Sequence, residues 1–557
     1  MDITLEKDII RLDSSKSCIP INKNFKLYAG PGAGKTTFLT EHIKRITRES
    51  KILTKNRKIV CITYTNTAVN TLNERLKSAE NSLEISTIHS FCYKFIVKPF
   101  IWILKDCILP IAEINGHENI KLRQSQMKDF KTQTQQFYLD NKQLSESLEK
   151  LKWILDGDGN LILDFVKFSD GRIDNFNLKK ESFLVYKEIY WKEGKLSHDD
   201  VLYFAYRILT ENPSLLRVIR AQFPYILIDE FQDTSPLQTA IIKLIGEKDT
   251  IIGVIGDICQ SIYSFQGSNV DSFKSFSLNN MQEYIIEGNR RSTEQIIKIL
   301  NHMRNNLDFI QYSPDNKIGH KPKIIIGSKT ASLKYLDETC EEIIYLSYKN
   351  PNNKYPNIIL EDSTSNRGCM IYYVVQSLEL GKELDIKNAI RFMKRAYRKN
   401  ILFDDKAALI NLKRLLNDYS MFEDISITEF YNTYLLGYYQ VKNKITNGKV
   451  KDLYDSITIK QLATYINRTD KGKLEQKTIH QSKGDEFENV CIFFQEDSKE
   501  KNLEFLLSPD MTKEVHRVYY VALSRAVKKL YIHIPENIDH KTAERLKEIG
   551  FLLVYLD

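Results

Sequence analysis

Residues 25–37 read Phe-Lys-Leu-Tyr-Ala-Gly-Pro-Gly-Ala-Gly-Lys-Thr-Thr, and no other stretch limits the fold of this chain as tightly. Phe25, Leu27 and Tyr28 make an apolar run that reads as a buried strand. Gly30, Gly32, Ala33 and Gly34 form a loop of small residues. From Thr36 to Arg48 the residues Phe38, Leu39, Ile43 and Ile46 recur at helical spacing on one side. Strand, glycine loop ending in Lys-Thr and helix together describe a phosphate-cradling P-loop. The glycines let consecutive backbone N–H groups turn toward one anion, with a helix N-terminus behind them. The expected cradle is Ala29, Gly30, Pro31, Gly32, Ala33, Gly34, Lys35, Thr36 and Thr37. Lys35 would reach the β- and γ-phosphates of ATP, and the Thr36 hydroxyl would hold Mg²⁺. Ala29 stands where the motif usually has glycine.

The spacing beyond the P-loop predicts a parallel α/β sheet. Ile59–Thr63 and Tyr225–Ile228 are buried-type strands, as is Ile251–Gly256, and each ends in polar or aromatic residues. Such sheets bind ligands at the carboxyl ends of their strands. Tyr225-Ile-Leu-Ile runs into Asp229 and Glu230, and an acid at that position in a P-loop enzyme supports the Mg²⁺ shell. A following Glu can take the proton from an attacking water. Gln260, at the exit of the next strand, is placed to sense a γ-phosphate.

From about Cys92 to Lys195 the character of the chain changes: Lys121 to Lys152 is rich in Lys, Gln, Ser and Glu with Leu, Phe and Trp at helical intervals, and reads as an inserted helical domain. Asp156-Gly-Asp-Gly-Asn160 resembles the start of a calcium loop, but it lacks the sixth-position glycine and has Lys167 in place of the closing Glu. A tight turn is the simpler reading. A second α/β unit is expected from about Met281, with strands at Lys323–Gly327, Asn357–Leu360, Val490–Phe494 and Leu530–Ile534. A second helical, charged and tyrosine-rich insertion spans 380–472.

The chain has 557 residues, room for roughly three to four domains. Its formal charge of +8 permits a nucleic-acid partner without requiring one. Cys18, Cys61, Cys92, Cys107, Cys259, Cys340, Cys369 and Cys491 form no C-x-x-C pair, which points to free thiols in a reducing compartment. No apolar run approaches ~20 residues and the opening residues are no signal peptide, so the expected location is the cytoplasm, with no membrane.

Eight segments taken in order carry a resemblance. They are AGPGAGKT, ITYTNTAV, STIHSF, LIDEFQDTS, GDICQSIYSFQG, GNRRST, HQSKGDEF and YYVALSRA. Together they resemble the motifs of UvrD/Rep-type superfamily 1A DNA helicases. The resemblance implies an α/β fold of two RecA-like P-loop domains, each with a helical insertion. One RecA-like domain (1A) would span 1–92 and 197–280, with insertion 1B at 93–196. The other (2A) would span 281–379 and 473–557, with a reduced insertion 2B at 380–472. By position, Lys35 and Thr36 would bind phosphate and Mg²⁺, Asp229 would support the metal and Glu230 would be the general base. Gln260 would sense the γ-phosphate, and Gly484 and Glu486 would contact the nucleotide. Arg291 and Arg525 would stabilise transition-state charge from the second domain, and Tyr64, Asn66, His89, Tyr263, Phe265 and His480 would face single-stranded DNA. The implied activity is ATP-driven 3′→5′ movement on single-stranded DNA.

Four departures from the pattern stand out. No Gln precedes Gln124, so the family's adenine-reading Gln is missing ahead of the P-loop. Arg290 replaces an adenine-stacking Tyr, Phe265-Gln266 replaces Trp-Arg, and Thr67 replaces a Lys. The reduced second insertion also resembles the helicase-like component of Gabija-type anti-phage systems, which accompanies an ATP-sensing, OLD-like nuclease. Three readings follow: a motor serving such a defence complex, a stand-alone repair or replication helicase, or a regulatory subunit that senses DNA ends or nucleotide with little unwinding.

Overall fold

Buried apolar strands dominate both sheets of the computed structural model. It describes residues 9–110, 114, 116–118, 120, 122–165, 178–264, 267–305, 309–340, 342–348, 367–382, 384–397, 403–438, 441, 443–470, 475–494, 502–535 and 537–556. The first sheet is built from β1 (Ile10–Arg11), β2 (Phe25–Ala29), β3 (Ile59–Ile62), β4 (Leu83–Ser86), β7 (Tyr225–Ile228), β8 (Ile251–Gly256) and β9 (Gln282–Ile286). Its order is β1-β9-β2-β8-β7-β3-β4, and every neighbouring pair is parallel. β2, β3 and β7 are buried at every position. Continuous apolar strands of this kind are what a parallel sheet covered on both faces requires.

The second sheet contains β10 (Lys323–Ile326), β11 (Ile344–Ser347), β12 (Glu475–Thr478), β13 (Phe487–Phe493), β14 (Ala526–Ile534) and β15 (Leu552–Tyr555). It is also wholly parallel, in the order β12-β11-β13-β14-β10-β15. Each sheet has its own core, one around Leu27, Phe38, Ile43 and Leu227, the other around Ile324, Ile492, Val521 and Ile532. The α/β class with two parallel sheets is therefore as the sequence implied.

Four features differ from the sequence reading. β9 follows residue 280 yet pairs with β2 from Phe25 to Ala29, so the first sheet extends past the expected start of the second unit. The first insertion is not wholly helical: β5 (Leu151–Leu155) and β6 (Leu161–Phe165) form an antiparallel hairpin between its helices. Asp156-Gly-Asp-Gly-Asn160 is the turn of that hairpin. Oδ1 of Asp156 accepts the N–H groups of Asp158 and Asn160, an Asx turn closing on itself. β15 lies at the edge of the second sheet, after the strand expected to be last. The strand expected at Asn357–Leu360 lies outside the described residues. The second insertion starts earlier than the expected residue 380: helix Arg367–Lys382 packs with Ile386–Ala396, Asp405–Asn417 and Ile459–Asp470 on a core of their own. Among the described residues no helix is long and apolar enough to cross a membrane.

Candidate active site

The P-loop, the end of β7 and the end of β8 meet at the carboxyl edge of the first sheet. Gly34 adopts a left-handed conformation (φ 83°), caps the helix Lys35–Glu49, and accepts the N–H of Phe38 at 2.9 Å. Lys35 then projects from the first helical turn, and its Nζ lies 3.4 Å from Oε1 of Glu230. Glu230 is itself left-handed (φ 52°), uncommon for a residue with a side chain. Its N–H donates to Oδ1 of Asp229 at 3.0 Å, and Nε2 of Gln232 donates to its Oε2 at 2.5 Å. Burial, then the Glu230 charge, pushes the Asp229 carboxyl up. Burial acts the same way on Glu230, but Lys35, Lys483, the Gln232 amide and Arg525 outweigh it and hold that carboxyl below its usual range. The two acids are thereby driven apart, with Glu230 kept as the ready carboxylate.

The donor set suits a hard cation. Asp229 and the Thr36 hydroxyl offer one carboxylate and one neutral oxygen, and Mg²⁺ typically takes one or two protein oxygens beside substrate phosphates. Among the described residues no group of three or more His, Cys, Asp or Glu could hold a metal alone.

The second lobe brings cations to the same place. Arg525 is almost fully buried and donates from Nη2 to Oε1 of Gln260 at 3.2 Å. The rest of its guanidinium is fixed by the carbonyls of Val521 and Asp485, at 3.1 and 2.9 Å. Arg291 donates from Nε to Oε2 of Glu486 at 2.8 Å and from Nη1 to the carbonyl of Ser524 at 3.2 Å. A Cβ added to Gly32 would lie 2.7 Å from Cβ of Arg291, so this arginine borders the P-loop. Gly484 takes a positive φ of 94° in the turn leading to Glu486. Lys483 reaches across from that turn to Oδ2 of Asp233 at 2.5 Å and to the carbonyl of Gln260 at 2.6 Å.

Four residues here were not singled out from sequence. Gln232, Lys483 and Asn289 lie inside recognised segments, LIDEFQDTS, HQSKGDEF and GNRRST, and position inside a motif was the available signal. Gln311 is different. Nε2 of Gln311 donates to the carbonyl of Pro31 at 3.0 Å, and Asn301 holds the Gln311 backbone by two bonds of 3.0 and 2.8 Å. The Arg290 N–H donates to the carbonyl of Gly32 at 2.9 Å, and a Cβ on Gly32 would fall 2.1 Å from Oδ1 of Asn289. Only glycine permits this approach of the second lobe to the P-loop. Arg290 also pairs with Asp315 at 2.9 Å.

Of the residues expected to face DNA, Tyr64 and Tyr263 stack on each other with centroids 4.9 Å apart and planes 16° from parallel. The Tyr263 hydroxyl donates to the carbonyl of His480 at 3.3 Å, and Nζ of Lys483 lies 4.8 Å from the Tyr263 ring centroid. Tyr348 meets the His480 ring edge-on at 5.9 Å. His89 instead belongs to a histidine trio. Its ring centroid is 5.7 Å from that of His198 and 6.4 Å from that of His117, whose Nδ1 atoms are 2.5 Å apart. Phe265 and the side chain of Asn66 lie outside the described residues.

Comparison with known proteins gives this geometry a family. Residues 13–280 match the family model of the UvrD/REP helicase N-terminal domain, and residues 329–537 match that of the UvrD-like helicase C-terminal domain. A probable DNA helicase II homolog of Mycoplasma capricolum is 27% identical, over 81% of this chain and 62% of the relative. The ATP-dependent DNA helicase PcrA of Bacillus subtilis is 29% identical, over 50% of this chain and 37% of its own. The Gabija protein GajB of Bacillus cereus is 28% identical, over 50% of this chain and 46% of its own. The chain thus spans less than two thirds of the length of these curated relatives. With one family model matching each half of the chain and Arg291 of the second lobe bordering the P-loop, the chain belongs to the UvrD/Rep family of superfamily 1A helicases.

Proposed function

We propose that this chain is a DNA-stimulated ATPase that drives 3′→5′ movement along single-stranded DNA. The observation that carries the reading is convergence: Lys35 from one lobe, and Arg525 and Lys483 from the other, surround Gln260 and the Asp229–Glu230 pair. Lys35 and the P-loop amides bind the phosphates, while Thr36 and Asp229 are suited to hold Mg²⁺. A bound Mg²⁺ would neutralise charge on the transferring phosphoryl group. Glu230, kept ionised, accepts the proton of the attacking water. Arg291 and Arg525 meet developing negative charge only when the lobes are together, which ties hydrolysis to closure. Gly484 and Glu486 border the nucleotide. The DNA path runs past Tyr64, Tyr263 and His480, where aromatic faces stack on bases of any sequence. The lobes are 1A and 2A with insertions 1B and 2B, and the boundary between the lobes lies after Ile286. The test is ATP turnover with and without single-stranded DNA; a rate indifferent to DNA would overturn the motor.

We further propose that the motor serves an anti-phage defence complex with a nuclease partner. Similarity to GajB and the short second insertion favour this over a stand-alone repair or replication helicase. Unaided unwinding of long duplexes, with no nuclease retained on purification from the native host, would overturn it.

A further inference from the structure

Arg304 ends the helix Glu294–Arg304, whose Ile296, Ile299, Leu300 and Met303 pack in the second core. Its side chain crosses to the first lobe. Nη2 lies 2.5 Å from Oδ1 of Asp257, the residue after β8, and the two side chains are 4% and 1% exposed. The guanidinium is fixed on its own side by the Tyr520 hydroxyl at 2.9 Å and the Phe309 ring at 4.0 Å.

Asp257 is the point from which two site residues hang. Its Oδ2 accepts Nε2 of Gln260 at 2.7 Å, and its N–H donates to Oε1 of Gln232 at 3.0 Å. The other end of that Gln232 amide is the donor to Glu230. A Cβ on Gly256 would fall 2.4 Å from Oε1 of Gln232, so this bridge also needs a glycine. Gln260 is thus held at both ends, its Nε2 by Asp257 and its Oε1 by Arg525. A buried carboxylate deprived of its cation rearranges or takes up a proton. Either response would loosen Gln260 and Glu230 together. Arg517, which donates to the carbonyl of Ser261 at 2.7 Å, and Glu514, which accepts from Ser264, grip the same loop independently. Loss of Arg304 therefore leaves the two lobes joined.

We infer that Arg304 is a positioning residue for ATP turnover, setting Gln260 and Glu230 from the opposite lobe through Asp257. The inference rests on the proposed function. The experiment measures steady-state ATP turnover of the full chain at saturating single-stranded DNA for Arg304→Met, Arg304→Lys, Asp257→Asn and the Arg304→Met/Asp257→Asn double variant. Misplaced catalytic groups predict a kcat roughly ten- to hundredfold lower for Arg304→Met and Asp257→Asn, with KM for ATP within about threefold of wild type. Arg304→Lys should recover part of the rate. The double variant should be no slower than the slower single one, because the pair acts as one unit. A folded Arg304→Met with wild-type kcat, or additive losses in the double variant, would overturn the inference. If Arg304→Met does not fold, Asp257→Asn decides by the same split between kcat and KM. A wild-type chain with no DNA-stimulated turnover defeats the proposed function instead, so the two failures are distinguishable.

Discussion

Nζ of Lys35 lies 3.4 Å from Oε1 of Glu230, an ion pair between the P-loop and the acid at the end of β7. The pair joins the lysine proposed to hold the phosphates to the acid proposed to take the proton of the attacking water. Nucleotide binding would draw the lysine away and leave Glu230 facing the γ-phosphate. Lys35→Ala should lower ATP turnover by at least about a hundredfold, the scale seen when a charge-stabilising donor is removed. Circular dichroism should stay at the wild-type spectrum, since Lys35 pairs with Glu230 and belongs to no apolar core. Turnover that survives in a folded Lys35→Ala protein would move the site elsewhere.

Glu230→Gln separates binding from chemistry. The amide keeps the shape and can still meet Lys35 through its oxygen, but it cannot accept a proton. Loss of a general base costs roughly 10²- to 10⁴-fold in rate. ATP affinity, read by equilibrium binding of a labelled nucleotide, should hold or rise because a negative charge near the phosphates is removed. A parallel loss of affinity and rate would mean that Glu230 binds rather than reacts.

What the sequence could reveal divides by distance along the chain. The P-loop was legible because strand, glycines and helix adjoin, and the acid pair was legible because β7 runs directly into it. The hairpin β5–β6 carried local signals, the Asp156-Gly-Asp-Gly-Asn160 turn among them, but they were outweighed by the helical composition around it. Gln311 had no local signal. It reaches Pro31 across 280 positions, and a lone Gln in a loop looks like any surface residue. Arg304 was hidden for a similar reason, being one more base at a helix C-terminus, where bases are common. Residues 282–286 fell in the expected second unit because nothing local to them shows that they form β9 and join β2.

The stack of Tyr64 on Tyr263 predicts a non-additive DNA phenotype. Aromatic–base stacking is worth ~1–3 kcal/mol per base, so Tyr263→Ala should weaken single-stranded DNA binding by about tenfold or more. Tyr64→Ala should weaken it as well, and the double variant should fall short of the product, since each ring supports the other. Fluorescence anisotropy with a labelled oligonucleotide checks this. ATP turnover without DNA should stay near wild type in all three. Fully multiplicative losses would mean that the rings act at separate places on the strand.

The histidine trio gives the last prediction, and its sign follows from burial. Burial first, then His198, His117 and Lys152, pulls His89 down from 6.5 to about 3, and burial lowers His117 and His198 too. Between pH 6.5 and 3 the unfolded chain binds a proton at position 89 that the folded chain does not. Stability from this group is therefore complete above pH 6.5 and declines as the pH falls. Acidification from pH 7 to 5 should cost at most about 2 kcal/mol through His89, at 1.36 kcal/mol per pH unit below the unfolded value. The readout is built into the chain, because its three tryptophans, Trp102, Trp153 and Trp191, all lie in the 93–196 insertion that also holds His117. Urea unfolding followed by tryptophan fluorescence should show a lower midpoint at pH 5 than at pH 7. In His89→Gln, which has no proton to gain, that shift should shrink; an unchanged shift would assign the acid sensitivity to other groups.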